Sequence, residues 1–274
     1  MTNEIKNFQF TIFMFPKKSL GQNFLTNTGI ISSIVDAGLV SSTDTILEIG
    51  PGRGVLTEEL LKRGAYVVAI EKDRELIPIL RDRFKKEIAE NRFVLICDDI
   101  LNINFQFLIS NFQTNEYKLV ANIPYYITGL IIRKFLTSEK QPEKMVLLVQ
   151  KEVAERIIAR DKKESLLSIS VKAYGTPTYI KTVKAGSFTP APKVDSAILL
   201  IGNISRDFFK GISEERFFEI LHAGFAHKRK QLFSNLKSVF EETKLKEKMK
   251  MLGIPENIRA EDMPLENWKK LSEN

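Results

Sequence analysis

The feature that most constrains the fold of this chain is a regular alternation of apolar runs and helical segments between residues 45 and 150. The first intervening segment, VLTEELLKRG (55–64), has helical apolar spacing and ends in Gly, a common helix stop. The apolar runs are TILEIG (45–50), AYVVAIE (65–71), RFVLICDD (92–99), YKLVANI (117–123) and KMVLLVQ (144–150). Such runs separated by helices are typical of a parallel sheet buried on both faces, so they predict an α/β fold.

The later part of the chain has a different character. SLLSISVKAYG (165–175) predicts a helix, and TYIKTVKA (178–185) and KVDSAILLI (193–201) predict a pair of strands that closes the first domain. Beyond residue 203 the apolar spacing is helical, without a clear strand. We therefore expect an α/β domain over residues 1–203 and a small all-helical domain over residues 204–274.

Composition narrows the class of protein. The 274 residues carry a net charge of +7 with a pI near 9.3, which favours a polyanionic partner such as nucleic acid. The single Cys, Cys97, excludes an intramolecular disulfide, and with only two His it argues against a zinc site. We expect Cys97 to be a buried strand residue, and we expect no metal, no membrane span and a cytoplasmic location.

A glycine-rich turn joins the first predicted strand to its helix. Gly50, Gly52 and Gly54 lie in EIGPGRGVLT, where the spacing G-x-G-x-G differs from the G-x-G-x-x-G of dinucleotide-binding loops. Glu71 ends the next strand and can accept both ribose hydroxyls of an adenosine, and Asp99 follows the strand after that. This set favours an adenosine cofactor without a pyrophosphate, namely S-adenosylmethionine. The alternatives are that the glycines form only a structural turn, that the two carboxylates are simply solvated, or that the protein is a dehydrogenase.

The tetrapeptide NIPY (122–125) follows the fourth predicted strand, at the same edge of the sheet. A purine amine is a poor nucleophile because its lone pair is delocalised into the ring. The side-chain oxygen of Asn122 and the carbonyl of Pro124 can accept the two amine hydrogens and orient that lone pair. Tyr125 can stack on the base. The tetrapeptide therefore predicts a clamp for a flat ring, although the same residues also occur in ordinary turns.

Together these residues belong to a set of motifs that resembles the ribosomal RNA adenine dimethyltransferases, which modify two adjacent adenines near the 3′ end of small-subunit ribosomal RNA. The motifs run in family order over nearly the whole chain: KKSLGQNFL (17–25), EIGPGRGVLT (48–57), VVAIEKD (67–73), DDIL (98–101), NIPYYI (122–127), QKEVAERI (150–157), GSFTPAPKVDSAI (186–198) and GFAHKRKQLFSNL (224–236). The resemblance implies a Rossmann-like, S-adenosylmethionine-dependent methyltransferase domain followed by a helical domain.

The resemblance also implies roles for individual residues. The cofactor site would contain Asn23 and Leu25 at the methionine end, Gly50 and Gly52 as the floor, Glu71 at the ribose, Asp99 at the adenine, and Asn122. The target base would lie between the NIPY clamp (Asn122, Pro124 and Tyr125) and Phe188 on its other side. Asp98 stands where the family more often has Gly, so the choice between the two acids is open.

A basic cluster, HKRKQL (227–232), predicts the start of a helix in the second domain. The alternative is that these basic residues only form a solvent-exposed helix face. In a basic protein that must hold folded RNA, we favour phosphate contacts by Lys228, Arg229 and Lys230, with Lys17 and Lys18 extending the path.

The function expected from the sequence is dimethylation of two adjacent adenines in small-subunit ribosomal RNA. We expect a monomer that acts on this RNA within a pre-ribosomal particle. The alternatives are the related class that dimethylates one adenine of large-subunit RNA and confers antibiotic resistance, and an assembly factor that kept the fold without the chemistry. A further hypothesis is that translation starts at Met14 rather than Met1.

Overall fold

The computed structural model describes residues 22–112 and 116–273 of the chain. The proposed start at Met14 and the basic pair Lys17 and Lys18 lie outside these residues. Within them, nine strands are present: β1 (Phe24–Leu25), β2 (Thr45–Ile49), β3 (Tyr66–Glu71), β4 (Phe93–Cys97), β5 (Lys118–Asn122), β6 (Lys144–Gln150), β7 (Thr176–Val183), β8 (Phe188–Thr189) and β9 (Ser196–Gly202).

Twelve α-helices are found in the same part of the chain. They are α1 (Thr28–Ala37), α2 (Val55–Lys62), α3 (Leu76–Arg83), α4 (Lys85–Ala89), α5 (Phe105–Ile109), α6 (Thr128–Leu136), α7 (Lys151–Ile158), α8 (Leu166–Lys172), α9 (Glu214–Phe225), α10 (Leu232–Leu236), α11 (Glu242–Met251) and α12 (Leu265–Ser272). Among the described residues, none of these helices is long and apolar enough to cross a membrane.

Seven strands form the main sheet in the order β4-β3-β2-β5-β6-β9-β7. The five predicted strands β2 to β6 pair in parallel, and β9 pairs antiparallel with both β6 and β7. The predicted parallel sheet and the closing strand pair are therefore confirmed. The order reverses between β2 and β5, since β3 and β4 lie on one side and β6 on the other. Ligands of open α/β sheets bind at such a switch point, beyond the carboxyl ends of the strands.

Both faces of the sheet are covered because successive side chains of each strand point to opposite sides. Ile46 packs on the face covered by α1, α2 and α3, whereas Leu47 packs on the other face. The apolar core of that second face continues into the C-terminal helices, where it includes Phe217 and Trp268. The C-terminal region is helical as predicted, and the division into two domains at residue 204 stays a prediction.

The position of a residue within or between elements explains the environments of Cys97, Pro78 and the cluster Lys228–Lys230. Cys97 is exposed rather than buried, because β4 is an edge strand and Cys97 is its last residue. Pro78 lies in the first turn of α3, which begins at Leu76, and its missing N–H therefore costs no hydrogen bond there. The cluster Lys228–Lys230 does not open a helix, since it lies in a turn between α9 and α10.

Candidate active site

A cleft opens at the carboxyl edge of the sheet, at the switch point between β2 and β5. Its lining comes from the ends of β2, β3, β4 and β5 and from residues 22–25. About 1200 Å³ of empty space lies within it, including the solvent at its open mouth. The cleft brings together nine of the residues named from the sequence: Asn23, Leu25, Gly50, Gly52, Glu71, Asp99, Asn122, Pro124 and Tyr125.

The glycine turn after β2 forms the floor of the cleft. Gly50, Gly52 and Gly54 have φ values of 68°, 58° and 80°, a region that favours glycine. A Cβ on Gly52 would lie 3.0 Å from the ring of Phe24, and one on Gly54 would lie 2.6 Å from the ring of Phe84. The backbone conformation therefore favours glycine at all three positions, and at Gly52 and Gly54 the neighbouring rings also leave no room for a side chain.

Glu71, the last residue of β3, is held by the backbone on both sides. Its two carboxylate oxygens accept hydrogen bonds from the N–H of Gly52 at 3.1 Å and of Asp73 at 2.8 Å. The residue is only 6% exposed, and this burial raises the pKa of its carboxyl group. The bond to Gly52 joins the glycine turn to the end of β3, so that the carboxylate has one orientation in the cleft.

Asp99 and Asp98 follow β4 and occupy different environments. The carboxylate of Asp99 accepts from Lys72 Nζ at 2.8 Å and from the N–H of Leu101 at 3.0 Å. Partial burial acts to raise the pKa of Asp99, but these two hydrogen bonds outweigh it and lower the pKa. Asp98 is exposed and turns back to accept from the N–H of Asp99 at 2.7 Å. Asp99 is thus the better placed of the two to meet a ligand.

Residues 22–25 form one wall of the cleft. They are anchored because Leu25 of β1 pairs with Phe188 of β8 and because Gln22 Nε2 donates to Asp73 at 2.9 Å. Phe188 is only 3% exposed and does not line the cleft. The structure therefore places Phe188 opposite Leu25 in the neighbouring strand, and its predicted contact with a base stays a prediction.

The NIPY segment lies where β5 ends. Asn122 Nδ2 donates to the carbonyl of Asn23 at 3.2 Å, which leaves Oδ1 to act as an acceptor. The carbonyl of Pro124 accepts from the N–H of Ile127 at 3.2 Å, and its second lone pair stays available. The hydroxyl of Tyr125 is 2.6 Å from Ser196 Oγ on β9, a contact that fixes the tyrosine ring.

Glu48 is a cleft residue that the sequence reasoning did not single out. It lies on β2, it is 1% exposed, and its carboxyl accepts from Thr57 Oγ1 at 2.6 Å. Burial raises the pKa of Glu48 to about 8. A charged residue in the middle of an apolar strand was the available signal, since a buried carboxyl is rare without a reason.

The basic cluster Lys228–Lys230 is not part of the cleft. All three side chains are exposed, and within the described part of the chain none of them forms an ion pair. Other charges of the C-terminal region are paired; for example, Glu242 pairs with Lys237 at 2.8 Å. The cluster therefore presents uncompensated positive charge to solvent.

The charge of the cleft decides which adenosine cofactor it suits. Three carboxylates line it (Glu71, Asp98 and Asp99), against the two cations Arg53 and Lys72, and the raised pKa of Glu48 keeps its carboxyl group protonated at neutral pH. An acidic lining disfavours a pyrophosphate and suits a ligand that carries a sulfonium and an ammonium group. The fold and the cleft together define a Rossmann-like methyltransferase that uses S-adenosylmethionine.

Comparison with known proteins agrees with this class. The family model described as "Ribosomal RNA adenine dimethylase" matches residues 15–274, so the chain belongs to this family. It is 42% identical over 257 residues to a Dehalococcoides mccartyi protein named "Ribosomal RNA small subunit methyltransferase A", with 93% of this chain and 87% of that protein covered. A Clostridium botulinum protein of the same name is 38% identical over 259 residues, covering 93% and 92% of the two chains.

Two solved structures are similar over most of their length. A dimethyladenosine transferase from Plasmodium falciparum superposes with a TM-score of 0.77 at 27% identity, covering 90% of this chain and 95% of that one. The 23S rRNA methyltransferase ErmE superposes with a TM-score of 0.74 at 23% identity, covering 91% and 98%. At 23% identity, the similarity to ErmE shows a shared fold.

Proposed function

We propose that this enzyme transfers methyl groups from S-adenosylmethionine to the exocyclic amines of two adjacent adenines near the 3′ end of small-subunit ribosomal RNA. The observation that carries the proposal is the position of the NIPY segment, because its acceptor atoms line the same cleft as the glycine turn and Glu71. The cleft can therefore hold a cofactor and a purine amine side by side.

The residues of this chain act on the purine by position. Asn122 Oδ1 and the carbonyl of Pro124 accept the two amine hydrogens, and this turns the nitrogen lone pair out of conjugation with the ring. Because the hydrogen bond to Asn23 fixes the amide of Asn122, the acceptor needs no reorientation during the reaction. Tyr125, held by Ser196, stacks on the base, and a stacked base is worth roughly 1–3 kcal/mol.

The cofactor supplies an electrophilic methyl group on its sulfonium when it is bound. Glu71 would accept hydrogen bonds from the ribose hydroxyls and Asp99 from the adenine amine, and Gly50 and Gly52 would form the floor of the cofactor site. Asn23, Leu25 and Asn122 would border the methionine end, where the buried carboxyl of Glu48 faces the cleft. These roles are those that the family resemblance implies, and the presence of all these residues in the lining of one cleft supports them.

The choice of RNA rests on the relatives. Proteins named for the small ribosomal subunit match at 42% and 38% identity over nearly the whole chain, whereas the 23S enzyme matches at 23%. We propose that the enzyme works as a cytoplasmic monomer on a pre-ribosomal particle, with Lys228, Arg229 and Lys230 contacting phosphates.

The test is methyl transfer from labelled S-adenosylmethionine to unmodified small and large ribosomal subunits, offered separately, with the products mapped by mass spectrometry. Two adjacent dimethyladenosines in the small subunit are expected. A single dimethyladenosine in the large subunit would overturn the proposed substrate. No transfer to either subunit, despite tight binding to the small subunit, would show an assembly factor without chemistry.

A further inference from the structure

The mouth of the cleft carries a second tyrosine, Tyr126, that the proposed chemistry does not use. It lines the cleft next to Tyr125, yet 63% of its surface is exposed, compared with a half-buried Tyr125. The two rings have different surroundings, because Tyr125 is tied to Ser196 on β9 whereas Tyr126 lies near Lys72 after β3. Tyr125 therefore belongs to the interior of the cleft and Tyr126 to its rim.

The surroundings of Tyr126 suit a nucleotide. The ring lies in the short turn Tyr125–Ile127 that follows β5, where the NIPY segment leads into α6. Lys72 lies at the same rim with its side chain 54% exposed, and it pairs with Asp99 at 2.8 Å. An exposed aromatic ring at the mouth of a cleft is a surface on which a base of single-stranded nucleic acid can stack.

A base that enters the cleft leaves its neighbour in the strand at the mouth. Consecutive nucleotides are covalently joined, so the neighbour of a base stacked on Tyr125 stays close to the mouth of the cleft, where Tyr126 presents an exposed ring. We propose that Tyr126 stacks on the nucleotide next to the target adenine and so positions the RNA strand at the cleft. This inference rests on the proposed function and adds a residue that contacts the flanking base.

The expected effect is on RNA affinity rather than on chemistry. A stacking contact is present before and during transfer, so its loss raises KM for the RNA substrate and leaves kcat unchanged. A contact of roughly 1–3 kcal/mol corresponds to a rise in KM of about 5-fold to 150-fold. The affinity for S-adenosylmethionine should stay the same, since Tyr126 lies at the rim.

The experiment compares Tyr126→Ala, Tyr126→Leu and Tyr126→Phe with the wild type on unmodified small ribosomal subunits. Met251→Ala is the matched control, because Met251 is a 78% exposed apolar residue at the end of α11. KM and kcat are measured for each protein, and calorimetry gives the dissociation constant for S-adenosylmethionine, which also reports whether each variant is folded.

Support requires that the Ala and Leu variants raise KM at least 5-fold while the Phe and Met251 variants stay within 2-fold. A KM of the Tyr126→Leu variant equal to that of the wild type would overturn stacking, because leucine keeps apolar surface but has no ring. An Ala variant that loses cofactor affinity by the same factor would also overturn it. A wild type that methylates neither ribosomal subunit would instead refute the proposed function, and the flanking-base inference with it.

Discussion

The amide of Asn122 is oriented before any base enters the cleft, because its nitrogen already donates to the carbonyl of Asn23. An amide that could rotate would present either its oxygen or its nitrogen to a purine amine, and only the oxygen accepts hydrogen atoms. At the scale of single residues, the site thus depends on a hydrogen bond between two segments 99 residues apart in the chain.

Replacing Asn122 with Ala should lower methyl transfer by roughly 10²-fold or more, because one of two acceptors for the amine is lost. Affinity for S-adenosylmethionine should stay within a few-fold of the wild type. Single-turnover transfer and calorimetry measure the two quantities separately. Activity that survives within a few-fold would contradict the clamp.

The raised pKa of Glu48 makes the free energy of unfolding depend on pH in one direction. Its pKa is raised from about 4.5 to about 8 in the folded protein, so between these values the folded state holds a proton that the unfolded state lacks. The free energy of unfolding therefore falls as pH rises from about 4.5 to about 8, by up to roughly 1.4 kcal/mol per pH unit. Above about pH 8 this contribution is constant.

Glu48→Gln should remove that pH dependence, because a glutamine keeps an acceptor for Thr57 but does not titrate. Urea unfolding of both proteins at pH 6 and pH 8, without cofactor, measures the difference. The wild type should lose more stability than the variant over this interval. Equal losses in the two proteins would show that Glu48 is already ionised at pH 6.

At the scale of elements, the ends of neighbouring strands assemble the site. The glycine turn, Glu71, Asp99 and Asn122 each follow a different parallel strand, and parallel pairing brings those ends to one edge. The basic cluster Lys228–Lys230 depends on a turn instead, and this turn holds three cations in solvent without acidic partners among the described residues.

Changing Lys228, Arg229 and Lys230 together to Ala should weaken binding to small ribosomal subunits and reduce its salt dependence. Each lost phosphate contact lowers the slope of log K against log salt by roughly 0.7–0.9. The matched control is Lys244, Lys246 and Lys250 to Ala on α11, which removes the same charge from another surface. Filter binding over a salt series measures both slopes. Equal slopes for the two triple variants would show that the cluster Lys228–Lys230 does not contact RNA phosphates.

At the scale of the whole molecule, the C-terminal helices share the apolar core of the sheet. Phe217 of α9 and Trp268 of α12 lie in the same continuous cluster as strand residues such as Leu147, and none of the three is exposed. An aromatic group that includes Tyr174, Phe209 and Phe218 packs between α8 and α9. The free energy of unfolding of each part therefore includes contacts with the other.

The chain should consequently unfold in one transition. Trp268 is the single tryptophan and reports on the C-terminal helices, so its fluorescence should change at the same urea concentration as the far-UV circular dichroism. S-adenosylmethionine at 100 times its Kd should raise the free energy of unfolding by about 2.7 kcal/mol, and both signals should report the same increase. A fluorescence transition that the cofactor does not shift would show independent domains.

Phe217→Ala tests the shared core directly. Loss of a fully buried phenylalanine should destabilise the protein by about 3–5 kcal/mol and shift both signals together. Leu130→Ala, which removes an exposed apolar side chain, is the control. If only the fluorescence transition moved, the core would not couple the two parts.

The sequence by itself determined the parallel sheet, its helices and most of the cleft. Apolar periodicity, helix stops and residues at strand ends are local signals, and parallel pairing carries strand ends to one place whatever the loops do. The resemblance added Asn23 and Leu25, which no periodicity indicates because they lie before the first strand of the main sheet.

Tertiary structure alone decided the rest, because each remaining feature depends on contacts between distant segments. Pairing of β1 with β8 put Phe188 opposite Leu25, a residue that lines the cleft. The edge position of β4 exposed Cys97, and packing of the strand against α2 buried Glu48 beside Thr57 and so raised its pKa. Burial and partners across the sheet set these properties, and neither is encoded in a local pattern of residues.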